Sequence, residues 1–424
     1  MKKKLGILII LFSIIITYIF WIFIKPTRTI PVISEYSQLL ASFALVCLAW
    51  INFISTRHKI LDTIFDGLDK SYIYHKYLGI SMLVMLILHD QTISIGKSQE
   101  ILSGSLISRD PYAMYGSFGL YLFVLIIAVA LLAKKLNYER WKVIHKFMII
   151  PYAFGIYHYY GSSNYPVFSM NPFSLWLNVV NFIGIASAIY SIFFYERTSF
   201  KYRYKISRLE TVANGTLEIT GSAINVDLDY NPGQFAFLKI SGSETKFPSH
   251  PFTISGAPKK GELQFTIKAL GDHTNILMEN LKVGNEFLVS GPHGKFNYKT
   301  GIENQIWIAG GIGITPFRSF AEAGILENHS IDFFYAYTND EEGAYVDELR
   351  SIVHGDNIRL HLFNAKEKGF LSVAEIAKHI KTKEPIDVYF CGPKPMRESL
   401  RKQFSSNSSA LNVVNFHYEH FQFK

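Results

Sequence analysis

The chain has 424 residues, enough for two or three domains, with 49% hydrophobic residues, a formal net charge of +8 and two cysteines. Its basic residues in 1–196 flank apolar runs, so the positive excess reads as membrane topology and argues against a nucleic-acid surface. Cys47 lies in an apolar segment and Cys391 in the polar half, which gives no support to a disulfide-stapled secreted scaffold.

Met1-Lys-Lys-Lys precedes an apolar run, Leu5–Ile24, too long for a signal-peptide core and without a small-residue cleavage site, so it is expected to remain as a transmembrane helix. Six segments have the roughly 20 apolar residues that a span requires: about 5–24, 36–56, 71–93, 115–133, 142–161 and 173–195. Lys2–Lys4, Arg57, Lys59, Lys70, Lys134, Lys135, Arg140, Lys142, Arg197, Lys201 and Arg203 fall on one side, the expected cytoplasmic one. Lys25, Arg28, Lys97 and Arg109 mark the sparser outer side. Both termini and the polar half then face the cytoplasm, in a multi-pass cell-membrane protein.

Four histidines stand inside these apolar segments, where an ionisable group is costly. One such histidine reads as a bond between helices; two matched pairs suggest ligands. His75 and His89 are fourteen residues apart, a rise of about 21 Å with both rings within about 40° of one face. His145 and His158 are thirteen apart, and on an ideal helix they diverge by about 140°. Pro151 and Gly155 lie between them, so a helix irregularity is expected there. His75 then levels with His145 and His89 with His158, giving two axial imidazoles per level, which suits two bis-His haems. Zinc fits less well, because no cysteine or carboxylate completes a tetrahedron. Lys76 and Lys146 follow the inner histidines and either reach haem propionates or snorkel to the interface. Tyr157, Tyr159 and Tyr160 read as an interfacial belt.

Residues 197–300 read as a small antiparallel barrel, with strands expected at Phe200–Leu209, Gly215–Gly221, Phe235–Ile240, Leu263–Ala269 and Glu286–Ser290. Within it lie His250-Pro-Phe-Thr253, then Lys268-Ala-Leu-Gly-Asp-His-Thr274 leading into a helix, and Gly291-Pro-His-Gly294. The second of these has the composition of an anion site. Residues 301–424 alternate strand and helix, as a doubly wound sheet does. Gln305–Ala309 runs straight into Gly310-Gly-Ile-Gly-Ile-Thr-Pro-Phe317, a strand–glycine loop–helix suited to a phosphate, though neither a GxGxxG fingerprint nor a Walker loop. A later strand, Ile386–Phe390, meets Cys391-Gly-Pro-Lys-Pro-Met396. The chain closes with the aromatic-rich Phe416-His-Tyr-Glu-His-Phe-Gln-Phe-Lys424, which seals a sheet edge or lays a ring over a flavin.

As a set, these motifs over nearly the whole chain resemble the NADPH oxidase and ferric reductase family, and bacterial NADPH oxidases in particular. The resemblance implies a six-helix haem domain (1–196), an FAD-binding β-barrel (197–300) and an NAD(P)-binding α/β domain (301–424), the last two forming a ferredoxin-reductase-like module. It implies FAD, two haem b groups and NADPH or NADH as cofactors. His75, His89, His145 and His158 would be the iron ligands. His250, Pro251, Phe252 and Thr253 match the FAD segment, with Thr253 near the flavin's reactive edge; Lys268 and Thr274 match its phosphate side. Gly310, Gly311, Gly313 and Thr315 match the nicotinamide-nucleotide loop, and Cys391, Gly392 and Pro393 the motif beside the nicotinamide. Phe421 would be the aromatic on the flavin, with Phe423 its alternative.

The implied activity is an NAD(P)H oxidase that passes electrons through FAD and two haems to O2 outside, giving superoxide. The alternatives are a ferric-chelate reductase, or a haem module feeding a docked redox partner; a non-redox carrier is at odds with the dehydrogenase half. The long external stretch 94–114 would lid the outer haem and favours O2. No Ca2+ loop or regulatory extension is seen, so no obligatory protein partner is expected. Acidic residues follow Tyr335-Ala-Tyr-Thr338 where a 2′-phosphate would need an arginine, which leaves NADPH against NADH open.

Overall fold

The structure, a computed structural model, describes residues 5–24, 26, 30–103, 110–132, 138–241, 248–406 and 411–419. It forms two compact units that part between Thr198 and Ser199.

The first unit is helical: α1 (Leu5–Ile22), α2 (Val32–Ser55), the short α3 (Ile60–Ile64), α4 (Leu68–Leu102), α5 (Ala113–Leu132), α6 (Tyr138–Lys146), α7 (Ile149–Ser162), α8 (Pro172–Ile189), a π turn at Tyr190–Phe194 and α9 (Tyr195–Thr198). Among the described residues five helices are long and apolar enough to cross a membrane: α1, α2, α4, α5 and the α8–α9 run. The predicted segment 142–161 is instead divided between α6 and α7. Exposed Leu8, Phe12 and Ile15 leave α1 apolar on its outer face. Its polar groups turn inward, where Trp50 Nε1 donates to Ser13 Oγ at 3.0 Å and Trp176 Nε1 to Thr17 Oγ1 at 2.8 Å. Such bonds tie helices together where lipid offers no competing partner. Asn171 caps α8, its side chain accepting from Ser174 N at 2.8 Å, with Pro172 at the first turn.

Two features of this unit differ from expectation. The irregularity between His145 and His158 falls at Phe147–Met148, upstream of the predicted Pro151–Gly155, and Gly155 sits inside a regular α7. Pro151 has no N–H for the Phe147 carbonyl, and its ring crowds that oxygen, so the break appears four residues before the proline. The chain tightens there: Phe147 N bonds Ile144 O (3.1 Å), Met148 N bonds His145 O (3.1 Å) and Ile150 N bonds Phe147 O (3.0 Å). Such three-residue bonds turn about 120° per residue against about 100° in an α-helix, which advances His158 in the sense the thirteen-residue spacing requires. The second difference is α4, which continues through 35 residues to Leu102. At about 52 Å it far exceeds a hydrocarbon core of about 30 Å. Residues 94–102, the first part of the stretch 94–114 read from sequence as an external loop, are therefore helix.

The second unit begins with a six-stranded antiparallel sheet of β1 (Tyr202–Ala213), β2 (Thr216–Ala223), β3 (Phe235–Ser241), β4 (His250–Thr253), β5 (Glu262–Lys268) and β6 (Glu286–His293). Its order is β4-β3-β6-β1-β2-β5, and a bridge between Ile254 and Phe265 closes it. α10 (Asp272–Asn280) covers one end. Fully buried Tyr204, Phe265 and Phe287 fill the interior.

A parallel sheet follows, with β7 (Asn304–Gly310), α11 (Thr315–Glu322), β8 (Ser330–Tyr337), α12 (Val346–Ile352), β9 (Ile358–Asn364), α13 (Ala365–Lys368), α14 (Val373–His379), β10 (Ile386–Cys391), α15 (Lys394–Phe404) and β11 (Val413–Tyr418). The order β11-β10-β7-β8-β9 places the chain reversal between β7 and β10. In a doubly wound sheet, ligands bind in the crevice outside the strand ends at this reversal. Trp307, Phe317 and Phe333 pack one face, and Ile308, Phe334 and Leu400 the other.

Candidate functional site

In the helical unit the four histidines meet in the expected pairs. The rings of His75 and His145 have centroids 6.0 Å apart, and those of His89 and His158 are 6.2 Å apart. A metal–imidazole bond of about 2 Å on each side, with a ring radius of about 1.1 Å, would set two axial imidazoles roughly 6.3 Å apart. Their other nitrogens are engaged. His75 Nδ1 lies 3.2 Å from Ile51 O, His89 Nδ1 2.9 Å from Ser37 O, and His158 Nδ1 3.0 Å from Tyr112 O. A carbonyl can only accept, so Nδ1 carries the proton in these three and Nε2 keeps its lone pair for a metal. The hydroxyls of Ser37 and Ser162 add contacts at 2.9 and 3.0 Å to His89 and His158. His145 is the exception: its Nδ1 has no hydrogen-bond partner among the described residues, and the Trp141 indole stacks on its ring at 5.1 Å. Each level presents two imidazoles, the number of positions a porphyrin's iron would leave for protein ligands. Among the described residues no three His, Cys, Asp or Glu gather to hold an ion by side chains alone.

In the second unit the predicted nucleotide residues converge at the β7–β10 reversal. A β-carbon on Gly313 would stand 2.2 Å from Cys391 O, one on Gly310 2.9 Å from Pro393 Cδ, and one on Gly392 3.0 Å from Gly310 Cα. The glycine loop and the Cys391-Gly-Pro turn are thus packed backbone on backbone. Gly311, at φ +53° with open space around it, needs its freedom for the turn itself. Thr315 opens α11 and turns its hydroxyl to Ile312 O at 3.1 Å.

The predicted flavin segment is strand β4, paired to β3 with Thr253 opposite Phe235 and Pro251 opposite Phe237. Thr253 is buried. The His250 ring lies 3.6 Å from that of His273 on α10, which brings the His250–Thr253 strand against the segment carrying Lys268 and Thr274. Two predicted phosphate-side residues are otherwise engaged. Lys268 Nζ is bonded to Glu342 Oε2 at 2.8 Å, beyond the end of β8, and that cation holds the Glu342 carboxyl below its ordinary range. Thr274 Oγ1 accepts from Leu270 N (2.9 Å) and Gly271 N (3.2 Å), capping its own helix. Phe421 and Phe423 lie outside the described residues.

Glu419 joins the site only through the fold. It is buried just after β11, close enough that a β-carbon on Gly294 would lie 4.0 Å from its Oε1, and its charge adds to the burial that pushes the Cys391 thiol well above its usual range. Glu419 therefore lies near both the Gly291–Gly294 loop of the barrel and Cys391. Its only sequence signal is a carboxylate following an aromatic terminal strand.

Residues 40–156 match the family described as ferric reductase like transmembrane component, 201–308 an FAD-binding domain, and 307–402 an oxidoreductase NAD-binding domain. Curated relatives match about half of the chain. The toluate 1,2-dioxygenase electron transfer component of Pseudomonas putida is 26% identical over 52% of this chain and 67% of its own length. The 2-halobenzoate 1,2-dioxygenase electron transfer component of Burkholderia cepacia is 25% identical over 51% of this chain and 66% of its own. The chain thus spans about two thirds of the length of these relatives. Among solved structures, the flavohem-like FAD/NAD binding domain of nitric oxide dioxygenase from Vibrio cholerae is 19% identical, with a TM-score of 0.43, over 51% of this chain and 98% of that one.

Proposed function

A ferric reductase-like transmembrane domain followed by FAD-binding and NAD-binding domains is the NADPH oxidase and ferric reductase architecture, and from a membrane-linked, NAD(P)H-dependent flavin oxidoreductase of this kind we propose transmembrane electron transfer to O2. The balanced reaction is NAD(P)H + 2 O2 → NAD(P)+ + H+ + 2 superoxide, with the nucleotide oxidised on the cytoplasmic side and O2 reduced outside. The observation that carries the reading is the pair of imidazole levels, with ring centroids at 6.0 and 6.2 Å.

When bound, FAD divides the two electrons of a hydride and haem carries them one at a time. The chain's own residues supply placement. Backbone N–H groups of the Gly310–Ile314 loop and the start of α11 favour a nucleotide phosphate there. Buried Thr253 would face the flavin and buried Cys391 the nicotinamide, where its thiol, raised by burial and the Glu419 charge, would add no charge. The carbonyls of Ile51, Ser37 and Tyr112 hold His75, His89 and His158 in the ligating tautomer. His75 with His145 and His89 with His158 would hold the two haems.

A ferric-chelate reductase is the second reading. It gains from α4 running as helix to Leu102, which shortens the stretch expected to lid the outer level. Superoxide formation suppressed by superoxide dismutase, measured beside ferric-chelate reduction with both nucleotides, tests the proposal. Rapid iron reduction without superoxide would replace the oxidase with the reductase. Oxidation of NAD(P)H only after a redox partner is added would replace both with a partner-dependent module.

A further inference from the structure

α11 starts in the nucleotide loop, and its next turn grips the barrel. Three of its residues bond three consecutive residues of the segment after β4: Arg318 Nη1 donates to Ser255 O at 3.2 Å, Ser319 Oγ to Gly256 O at 2.8 Å, and Ala257 N donates to Glu322 Oε2 at 2.8 Å. Thr253, on the flavin strand, is two residues upstream of this segment, and Thr315, on the nucleotide loop, is three residues upstream of Arg318.

Arg318 is buried, and its guanidinium is held through Nε, Nη1 and one flat face. Beyond Ser255, it donates to Gln264 Oε1 at 3.2 Å and to Glu348 Oε1 at 2.8 Å, pairs with Glu218 Oε2 at 3.3 Å, and lies 4.3 Å over the Tyr345 ring. Glu218 is itself buried and accepts from Tyr345 Oη at 2.8 Å, while Thr266 shares that hydroxyl at 2.6 Å. Tyr345 is held at φ +63°, a left-handed conformation unusual for a residue with a β-carbon. Packing two domains does not require a buried guanidinium on a main-chain carbonyl. Hydride transfer between groups carried on separate domains does require fine placement, since a shift of about 1 Å costs about a hundredfold in rate.

We propose that Arg318 is a positioning residue that fixes the nucleotide loop in register with the flavin strand through the Ser255–Ala257 backbone. The inference rests on the dehydrogenase reading above. Lysine keeps the charge but lacks the planar fork, so Arg318→Lys separates placement from charge balance.

The test uses full-length, FAD-loaded protein in detergent, comparing wild type with Arg318→Lys, Ser319→Ala and the charge-balanced pair Arg318→Met with Glu218→Gln. FAD content, nucleotide KM, the anaerobic rate of flavin reduction and hydrogen exchange at the Ala257 amide are measured. We expect FAD content retained, KM within about threefold, and flavin reduction slowed roughly 10- to 100-fold in both Arg318 variants. Exchange at Ala257 should be faster in both, with Ser319→Ala intermediate. Wild-type reduction rates in both Arg318 variants, or a rate loss matching FAD loss, would overturn the inference. If neither nucleotide reduces the wild-type flavin, the dehydrogenase reading fails. Exchange at Ala257 then decides whether Arg318 holds the Ser255–Ala257 backbone: faster in Arg318→Lys supports it, and unchanged refutes it.

Discussion

Gly116 on α5 lies directly against the ring of His158: a β-carbon there would stand 2.8 Å from Cδ2 and 2.9 Å from Nε2. The same helix begins next to Tyr112, whose carbonyl fixes the other side of that ring. The His158 ring is therefore seated by α5 as much as by its own helix. Gly116→Ala should displace His158 and lower the outer haem's occupancy, with the inner one retained. Gly155→Ala, where a β-carbon meets nothing within 4 Å, should leave haem content unchanged. Haem per polypeptide, from pyridine haemochrome spectra of both variants, checks this.

Lys268 is the residue whose surroundings most change its expected role. Its bond to Glu342 places it beside the end of β8, on the nucleotide sheet. Lys268→Met should raise the nucleotide KM by roughly fivefold, equivalent to about 1 kcal/mol for a partly exposed pair, without loss of FAD. FAD loss at constant KM would return Lys268 to the flavin phosphate.

Cys391 is fully buried, and burial together with the Glu419 charge raises its thiol well above the ordinary value. A raised folded-state value stabilises the fold fully below the unfolded value of about 8.5, and that contribution declines as pH rises past it. Native protein should therefore resist alkylation at Cys391 near neutral pH and lose stability in alkali. Cys391→Ala should flatten the alkaline side of a thermal-unfolding profile; an unchanged profile would show that the thiol contributes nothing there.

The histidine levels were legible because a helix converts spacing into direction and height. The position of the break was less so, since Pro151 acts on the carbonyl four residues before it. The extent of α4 was hidden by polar residues beyond His89. Gly96 shows what continues it: a β-carbon there would lie 2.0 Å from Ser34 Oγ, so the extension is packed against α2. The Gly310 and Cys391 motifs could be read from local chemistry. Arg318 and Glu419 could not, because their partners are brought near by folding; Ser255 lies 63 residues from Arg318 along the chain.

Each facing pair of histidines is expected to hold one haem. The most direct test is haem per polypeptide in the wild type and in single His→Ala variants at all four positions, with reduced-minus-oxidised spectra. The expected result is two haems in the wild type, loss of the outer one in His89→Ala and His158→Ala, and loss of the inner one in His75→Ala and His145→Ala. Two haems remaining in His89→Ala or His158→Ala, or none in the wild type, would contradict it.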